Sequence, residues 1–248
     1  MKTAVLITAR SNSSRLNNKI NKKIGKYKAI DILILRSKKI NLPVVLATTK
    51  NKSDDYLCKY VKKKFRIKIF RGDNKNKLRR WYQCFLCMNI KKALIVDGDD
   101  IFFDYELYKN KMNQIGNFDV LSAPKNMITG LFTHILTIKG LEKMRGLFLK
   151  NKNLDSEMVE PFMKKAKLKR SYLKIKKIYK KNNIRLTLDY TEDLKLMREL
   201  AKKFIPTCKS ELLVKYLLKN KKLAKINYFR ENHWEKNQKN KIKRSLIQ

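Results

Sequence analysis

Three groups of residues in this chain have the types and spacing for chemistry on a charged substrate. The first is the run Ala9-Arg10-Ser11-Asn12-Ser13-Ser14-Arg15-Leu16-Asn17-Asn18-Lys19, with two guanidinium groups, an ammonium and three hydroxyls. Guanidinium groups fork onto phosphate oxygens and a lysine adds a point charge, so Arg10, Arg15 and Lys19 suit a triphosphate. The run lacks the glycines of a Walker loop or of a dinucleotide fingerprint, and a solvated loop is the competing reading. The second group is Asp97, Asp99 and Asp100, a tight cluster in a chain with only 21 acidic residues. The third is Asp189. Hard cations such as Mg²⁺ take one or two carboxylates together with phosphate oxygens, so acids beside a basic loop compose a metal-nucleotide site. Taken singly, Asp97-Gly98-Asp99 reads as a turn and Asp189 as a helix cap.

The four cysteines carry no comparable signal. Cys84 and Cys87 have a CxxC spacing, but they sit inside Trp81-Tyr82-Gln83-Cys84-Phe85-Leu86-Cys87-Met88, with no second pair and only two histidines in the chain. On a helix they share a face and pack as small apolar residues.

The elements around these groups alternate. Ala4–Thr8, Pro43–Thr48, Ile67–Phe70 and Ala93–Val96 are short apolar runs of the kind that fill buried strands. Between them lie helical patterns at 29–39, from Ser53-Asp54-Asp55 to about 64, and at 77–89, with a turn at Arg71-Gly72-Asp73. Further strands are expected at 118–121, 133–137 and 184–188, with a helix after Gly140, another from Thr191 to about 204, and two closing helical stretches. Residues 150–181 are Lys-rich and follow neither period. The fold class is α/β: a Rossmann-like, mainly parallel sheet with helices on both faces. Without a linker or an internal repeat, residues 1–248 read as a single domain, the C-terminal helices from about 205 packed on it. In such a sheet ligands bind beyond the carboxyl ends of the strands, where all three groups fall.

Composition bounds the partners. The 61 Lys+Arg against 21 Asp+Glu leave a formal charge of +40 over 248 residues, yet 43% of the residues are hydrophobic, which excludes a disordered polycation. No single segment carries the excess, so it reads as a drift toward Lys rather than a nucleic-acid footprint, and no specific nucleic-acid partner is expected. The apolar stretch from Ala4 ends at Arg10, too short for a secretory signal, and no run has a membrane-spanning length. A cytoplasmic location, with no membrane partner, is the expectation.

The first run resembles the A-R-x-x-S-x-R-L-x-x-K signature of cytidylyltransferases that activate acidic sugars, of the spore-coat polysaccharide and acylneuraminate types. Phe70-Arg71-Gly72 followed by Leu78 and Arg80-Trp81-Tyr82 is similar to that family's F-R-G-(x)5-L-x-R-Y-Y segment. Gly98-Asp99 matches its G-D strand end and Asp104-Tyr105-Glu106 its D-P-E. Arg185-Leu186-Thr187-Leu188-Asp189-Tyr190-Thr191-Glu192-Asp193-Leu194 resembles R-L-T-V-D-T-P-E-D-L, and Asn220 with Leu223–Asn227 resembles its closing helix. The resemblance implies a nucleotide-diphospho-sugar transferase fold and CMP transfer from CTP to an acidic sugar, with Mg²⁺ as cofactor, for surface polysaccharide or lipopolysaccharide synthesis. By motif, Ala9, Arg10, Ser11, Ser13, Arg15, Lys19, Arg71, Arg80 and Gly98 would bind the nucleotide, Arg15 and Lys19 would act on the reacting phosphates, and Asp99 and Asp189 would hold the metal. The resemblance also allows a homodimer.

The chain departs from the family at Asn17-Asn18, where P-G is usual, and at Asp97-Gly98-Asp99-Asp100-Ile101, where T-G-D-C-P is usual. Gly130–His134 and Glu157-Met158-Val159-Glu160-Pro161 also differ from their counterparts, and both lie where sugar contacts are expected. These departures leave the acceptor and the choice among Asp97, Asp99 and Asp100 open. They keep two alternatives in play, a catalytically degenerate subunit and a basic nucleic-acid-binding protein.

Overall fold

The structure is a computed structural model that describes residues 2–13, 15–111, 116–149 and 154–247, with the backbone alone for Asn110 and 241–247. Ser14, within the basic run, lies outside the described residues.

The first half alternates as its pattern predicts: β1 (Thr3–Thr8), α1 (Ala29–Lys38), β4 (Val44–Thr49), α2 (Asp55–Phe65), β5 (Lys68–Gly72), α3 (Lys77–Cys87) and β6 (Lys92–Asp97). A small antiparallel ribbon of β2 (Lys23–Ile24) and β3 (Tyr27–Lys28) precedes α1. The second half contains α4 (Tyr105–Lys111), β7 (Val120–Ser122), β8 (His134–Thr137), α5 (Ile138–Leu149), α6 (Glu160–Lys165) and β9 (Arg170–Tyr172). It closes with α7 (Thr191–Lys203), α8 (Ser210–Lys219), α9 (Lys221–Tyr228) and α10 (Arg230–Ile247).

Seven strands form one sheet in the order β5-β4-β1-β6-β8-β7-β9. All neighbours run parallel except β8, which is antiparallel to both β6 and β7. The apolar runs fill both faces, as buried parallel strands require. Val5, Ile7 and Leu46 point into a core shared with α1, α7 and α8. Ala4, Leu6 and Val45 point the opposite way, onto Trp81 and Phe85 of α3 and Leu141 and Phe148 of α5. This alternation follows from the two-residue period of a strand. The C-terminal helices are tied in by Arg36 of α1. Its fully buried guanidinium donates to the carbonyls of Phe103, Pro206 and Cys208 and to Ser210 Oγ at 2.6–2.9 Å.

Three sequence expectations change. Arg71 and Gly72 extend β5 instead of forming a turn. Three helices follow α7, not two. Ile184–Leu188 is extended but joins no strand ladder: it makes one isolated bridge, Thr129 with Arg185, and two backbone bonds, Leu186 N to Thr129 O and Leu188 N to Asp99 O, at 2.9 and 2.8 Å. Its apolar residues are buried against the core whether or not a neighbouring strand pairs with them, so periodicity alone could not distinguish the two cases. Gly130 permits the approach. Its φ is +96°, and a Cβ there would lie 2.4 Å from the carbonyl carbon of Leu186.

Candidate active site

A cavity of about 600 Å³ opens beyond the carboxyl ends of β1 and β6. One wall comes from the first half: the loop after β1, the start of α3 and the turn after β6. The other comes from residues 122–134, 157–160, 170–172, Lys181 and two residues of α10. Among the described residues nine cationic side chains line the cavity against five carboxylates, a balance that favours a polyanionic occupant.

The loop after β1 is held by its frame more than by itself. Ser11 N donates to Asp54 Oδ1 at 2.6 Å, and the other oxygen of Asp54 accepts from Thr48 and Thr49. These bonds outweigh burial and keep the Asp54 carboxyl below its ordinary range. Gly98 N donates to Thr8 O at 2.9 Å, and a Cβ at Gly98 would lie 2.8 Å from that of Ala9. Ala9 and Gly98 are thus the close contact through which the β1 loop and the β6 turn are joined.

Lys19 is the centre of the site. Its Nζ lies 2.8 Å from Asp189 Oδ1 and 3.2 Å from Asp99 Oδ2, bringing together residues 80 and 170 positions apart in the chain. Arg15 Nη2 donates to the same Asp189 oxygen at 2.7 Å. Burial alone would lower Lys19, but Asp99 and Asp189 hold it above its ordinary range. Arg15 is raised in the same way, mainly by Asp189 acting against burial. Asp189 is fully enclosed; against burial, these two cations pull its carboxyl down to about 2. Its second oxygen faces Arg185 at 3.4 Å.

Carboxylate oxygens of Asp97, Asp99 and Asp100 all lie within 4.8 Å of one another. Burial, with Asp189 and Asp97 adding to it against Lys19, raises the Asp99 carboxyl, and burial with repulsion from Asp99 and Asp97 raises that of Asp100 more strongly. A cluster of hard oxygen donors that resist ionising together is a fitting seat for Mg²⁺, which would relieve that repulsion. Any of the three could be its ligand.

The remaining expected residues divide. Arg10, Ser13 and Arg80 line the cavity, while Ser11 and Arg71 do not. Arg71 is occupied by the carbonyls of Thr49 and Asn51 at 2.9 and 2.8 Å and pairs with Asp55 at 2.7 Å. Arg10 reaches across the mouth to Glu157 at 3.4 Å. Arg80 is lowered to about 10 by burial and by Arg10. Its Nη1 donates to Asp73 O at 2.6 Å, but Nε has no partner among the described residues.

Sequence reasoning missed several members. Lys77 donates to Asp97 at 2.7 Å while lying over the Trp81 ring, whose Nε1 donates to Thr8 Oγ1. Arg185 was legible only as a motif letter. It is fully buried and pairs with Asp193 at 3.1 Å and with Glu231 of α10 at 2.7 Å. His134 was not missed, since the departing segments Gly130–His134 and 157–161 were expected near the sugar: it lines the cavity with Glu157 to Glu160, its imidazole pushed down to about 4 by burial and then by Lys77 and Arg170. Among the described residues no helix is long and apolar enough to cross a membrane.

Comparison with known proteins shows the family and the fold. A family model described as cytidylyltransferase matches residues 4–232. An uncharacterized protein of Methanocaldococcus jannaschii is 31% identical over 237 residues, covering 92% of this chain and 95% of the relative. A cytidylyltransferase structure from Leptospira borgpetersenii superposes with a TM-score of 0.79 at 22% identity, covering 90% of this chain and 97% of its own. The fold also matches a CMP:2-keto-3-deoxy-manno-octonic acid synthetase complexed with CTP, at a TM-score of 0.61 and 12% identity, with 82% of this chain and 99% of that one covered.

Proposed function

The chain belongs to the cytidylyltransferase family, and on that premise we propose that it transfers CMP from CTP to an acidic sugar of the 3-deoxy-octulosonic or nonulosonic class. Pyrophosphate is released, and the product feeds surface polysaccharide or glycan synthesis. The observation that carries the reading is Lys19 held between Asp99 and Asp189, with Arg15, at the edge of a cavity rich in cations.

In this reading the triphosphate takes the place of carboxylates as partner of Arg15 and Lys19. Both groups stay charged at any working pH, so each presents full charge to oxygens that gain negative charge as the α-phosphorus is attacked. The acceptor hydroxyl oxygen forms the new bond to that phosphorus and loses its proton to solvent, as the bond from phosphorus to the α,β-bridging oxygen breaks and pyrophosphate leaves. Arg10 and Arg80 face the same end of the cavity and add to the field on the leaving pyrophosphate. Ala9 and Gly98 keep the loop at its close approach, and Asp54 fixes Ser11 within it. Mg²⁺ held by Asp99, with Asp189, would supply further charge compensation at the phosphates.

The test is pyrophosphate release from each nucleoside triphosphate with a panel of acidic sugars. CTP is expected to be preferred over ATP, GTP and UTP, and to stabilise the fold selectively in a thermal-shift assay. Equal turnover with UTP would move the chain to another nucleotidyl specificity.

A further inference from the structure

Trp234 and Gln238 stand four residues apart on α10, so they occupy one face of that helix, and both line the cavity. They lie beyond residue 232, where the family match ends. Gln238 Oε1 is buried and accepts no hydrogen bond from the described residues, an expensive state for an amide carbonyl unless a ligand donates to it. The Trp234 ring is half-buried and stacks on the Arg185 guanidinium at 5.5 Å. The helix is fixed in place. Glu231 accepts from Arg185 at 2.7 Å and Thr129 at 2.6 Å, Lys181 reaches Glu235 at 2.8 Å, and Arg230 pairs with Glu192 at 2.7 Å.

The same wall offers one uncompensated cation. Lys181 N donates to Asn126 O at 2.7 Å, which places Lys125 on this wall, and Lys125 lines the cavity without an ion pair among the described residues. Its neighbours are taken: Lys181 by Glu231 and Glu235, Arg170 by Glu160. A rigid indole, an orphaned amide carbonyl and a single free ammonium together match one polyhydroxylated ring bearing one carboxylate.

We propose that α10 carries the acceptor-recognition face, with Trp234 packing on the sugar ring, Gln238 accepting from a hydroxyl and Lys125 pairing with the carboxylate. This rests on the reading of the chain as a transferase to an acidic sugar. The experiment uses the full chain and the variants Trp234→Ala, Trp234→Phe, Gln238→Ala and Lys125→Gln. KM for CTP and for 3-deoxy-octulosonic and nonulosonic acids is measured by pyrophosphate release. Thermal shifts with CTP alone and with CTP plus each acid or its methyl ester read binding even where turnover is slow.

Trp234→Ala is expected to raise the acceptor KM roughly tenfold while KM for CTP stays within about twofold, and Trp234→Phe to recover most of the loss. Gln238→Ala is expected to raise the acceptor KM about fivefold. Lys125→Gln is expected to erase the preference for acid over ester. Equal changes in both KM values, or none, would reduce Trp234 to a cover for Arg185 and overturn the inference. So would CTP binding by a wild-type chain that binds none of the acids. Failure to bind CTP at all would bring down the transfer reading first, and this inference with it.

Discussion

Two clusters of acids and bases meet at Asp189, and they differ in access rather than in chemistry. On one side, Arg15, Lys19 and Asp99 keep side-chain exposures of 17%, 14% and 26%. On the other, Arg185 and Asp193 have none, and Asn227 completes the hydrogen bonds by donating to Asp193 at 2.8 Å. In the closed cluster Asp189, Asp193 and Glu231 surround one guanidinium that cannot be exchanged for a ligand. Here burial opposes the charge of Arg185, but Asp193 and Glu231 hold it firmly protonated. In the open cluster the cations border the cavity, and in the proposed function they trade a carboxylate for a phosphate. The closed cluster sets where Asp189 stands, and on that proposal the open one supplies the chemistry.

This division can be broken by removing one cation from each side. Arg185→Met leaves three enclosed carboxylates without their shared partner, and should cost about 3–5 kcal/mol of folding stability, read by denaturant unfolding. Lys19→Met should instead cost pyrophosphate release roughly a thousandfold, about 4 kcal/mol of transition-state stabilisation, while its unfolding midpoint moves little. Asp99→Ala should follow Lys19→Met in rate, with Asp97→Ala and Asp100→Ala as neighbouring controls. If Lys19→Met unfolds the protein as deeply as Arg185→Met, the two clusters are one structural unit and the distinction fails.

A smaller effect sharpens the contrast between charged and neutral groups in the cavity. His134 has a folded-state value of about 4, depressed from about 6.5 by burial and then by Lys77 and Arg170. The unfolded chain therefore binds more protons below pH 6.5, so the stability tied to neutral His134 is complete above that pH. It is lost as the pH falls toward 4, by about 3 kcal/mol at most. His134→Gln should flatten that part of the profile relative to wild type. An unchanged profile would mean that His134 does not titrate in this window.

Much of the first half was legible because its signals are local. Four apolar runs punctuated by helices give the parallel order, and Asn76 caps α3 where a helix start was expected. The second half was harder: 150–181 follows neither period, and Ile184–Leu188 reads as a strand while forming none. Arg71 shows the same limit at the site. Its type and motif position suit a nucleotide, but Thr49 O, Asn51 O and Asp55 lie within reach first.

By itself, the sequence determined which residues could do chemistry and that they fall at element ends. A buried strand needs a continuous apolar run, and a loop rich in Arg, Ser and Lys cannot belong to one. What only the tertiary structure decided is which opposite charges meet. Lys19 finds Asp99 and Asp189 because β1 and β6 are adjacent in the sheet and Gly130 lets the 184–189 segment lie against their ends. Ion pairing depends on distance and burial, and residues 80 and 170 positions apart in a chain acquire both only when the sheet is assembled.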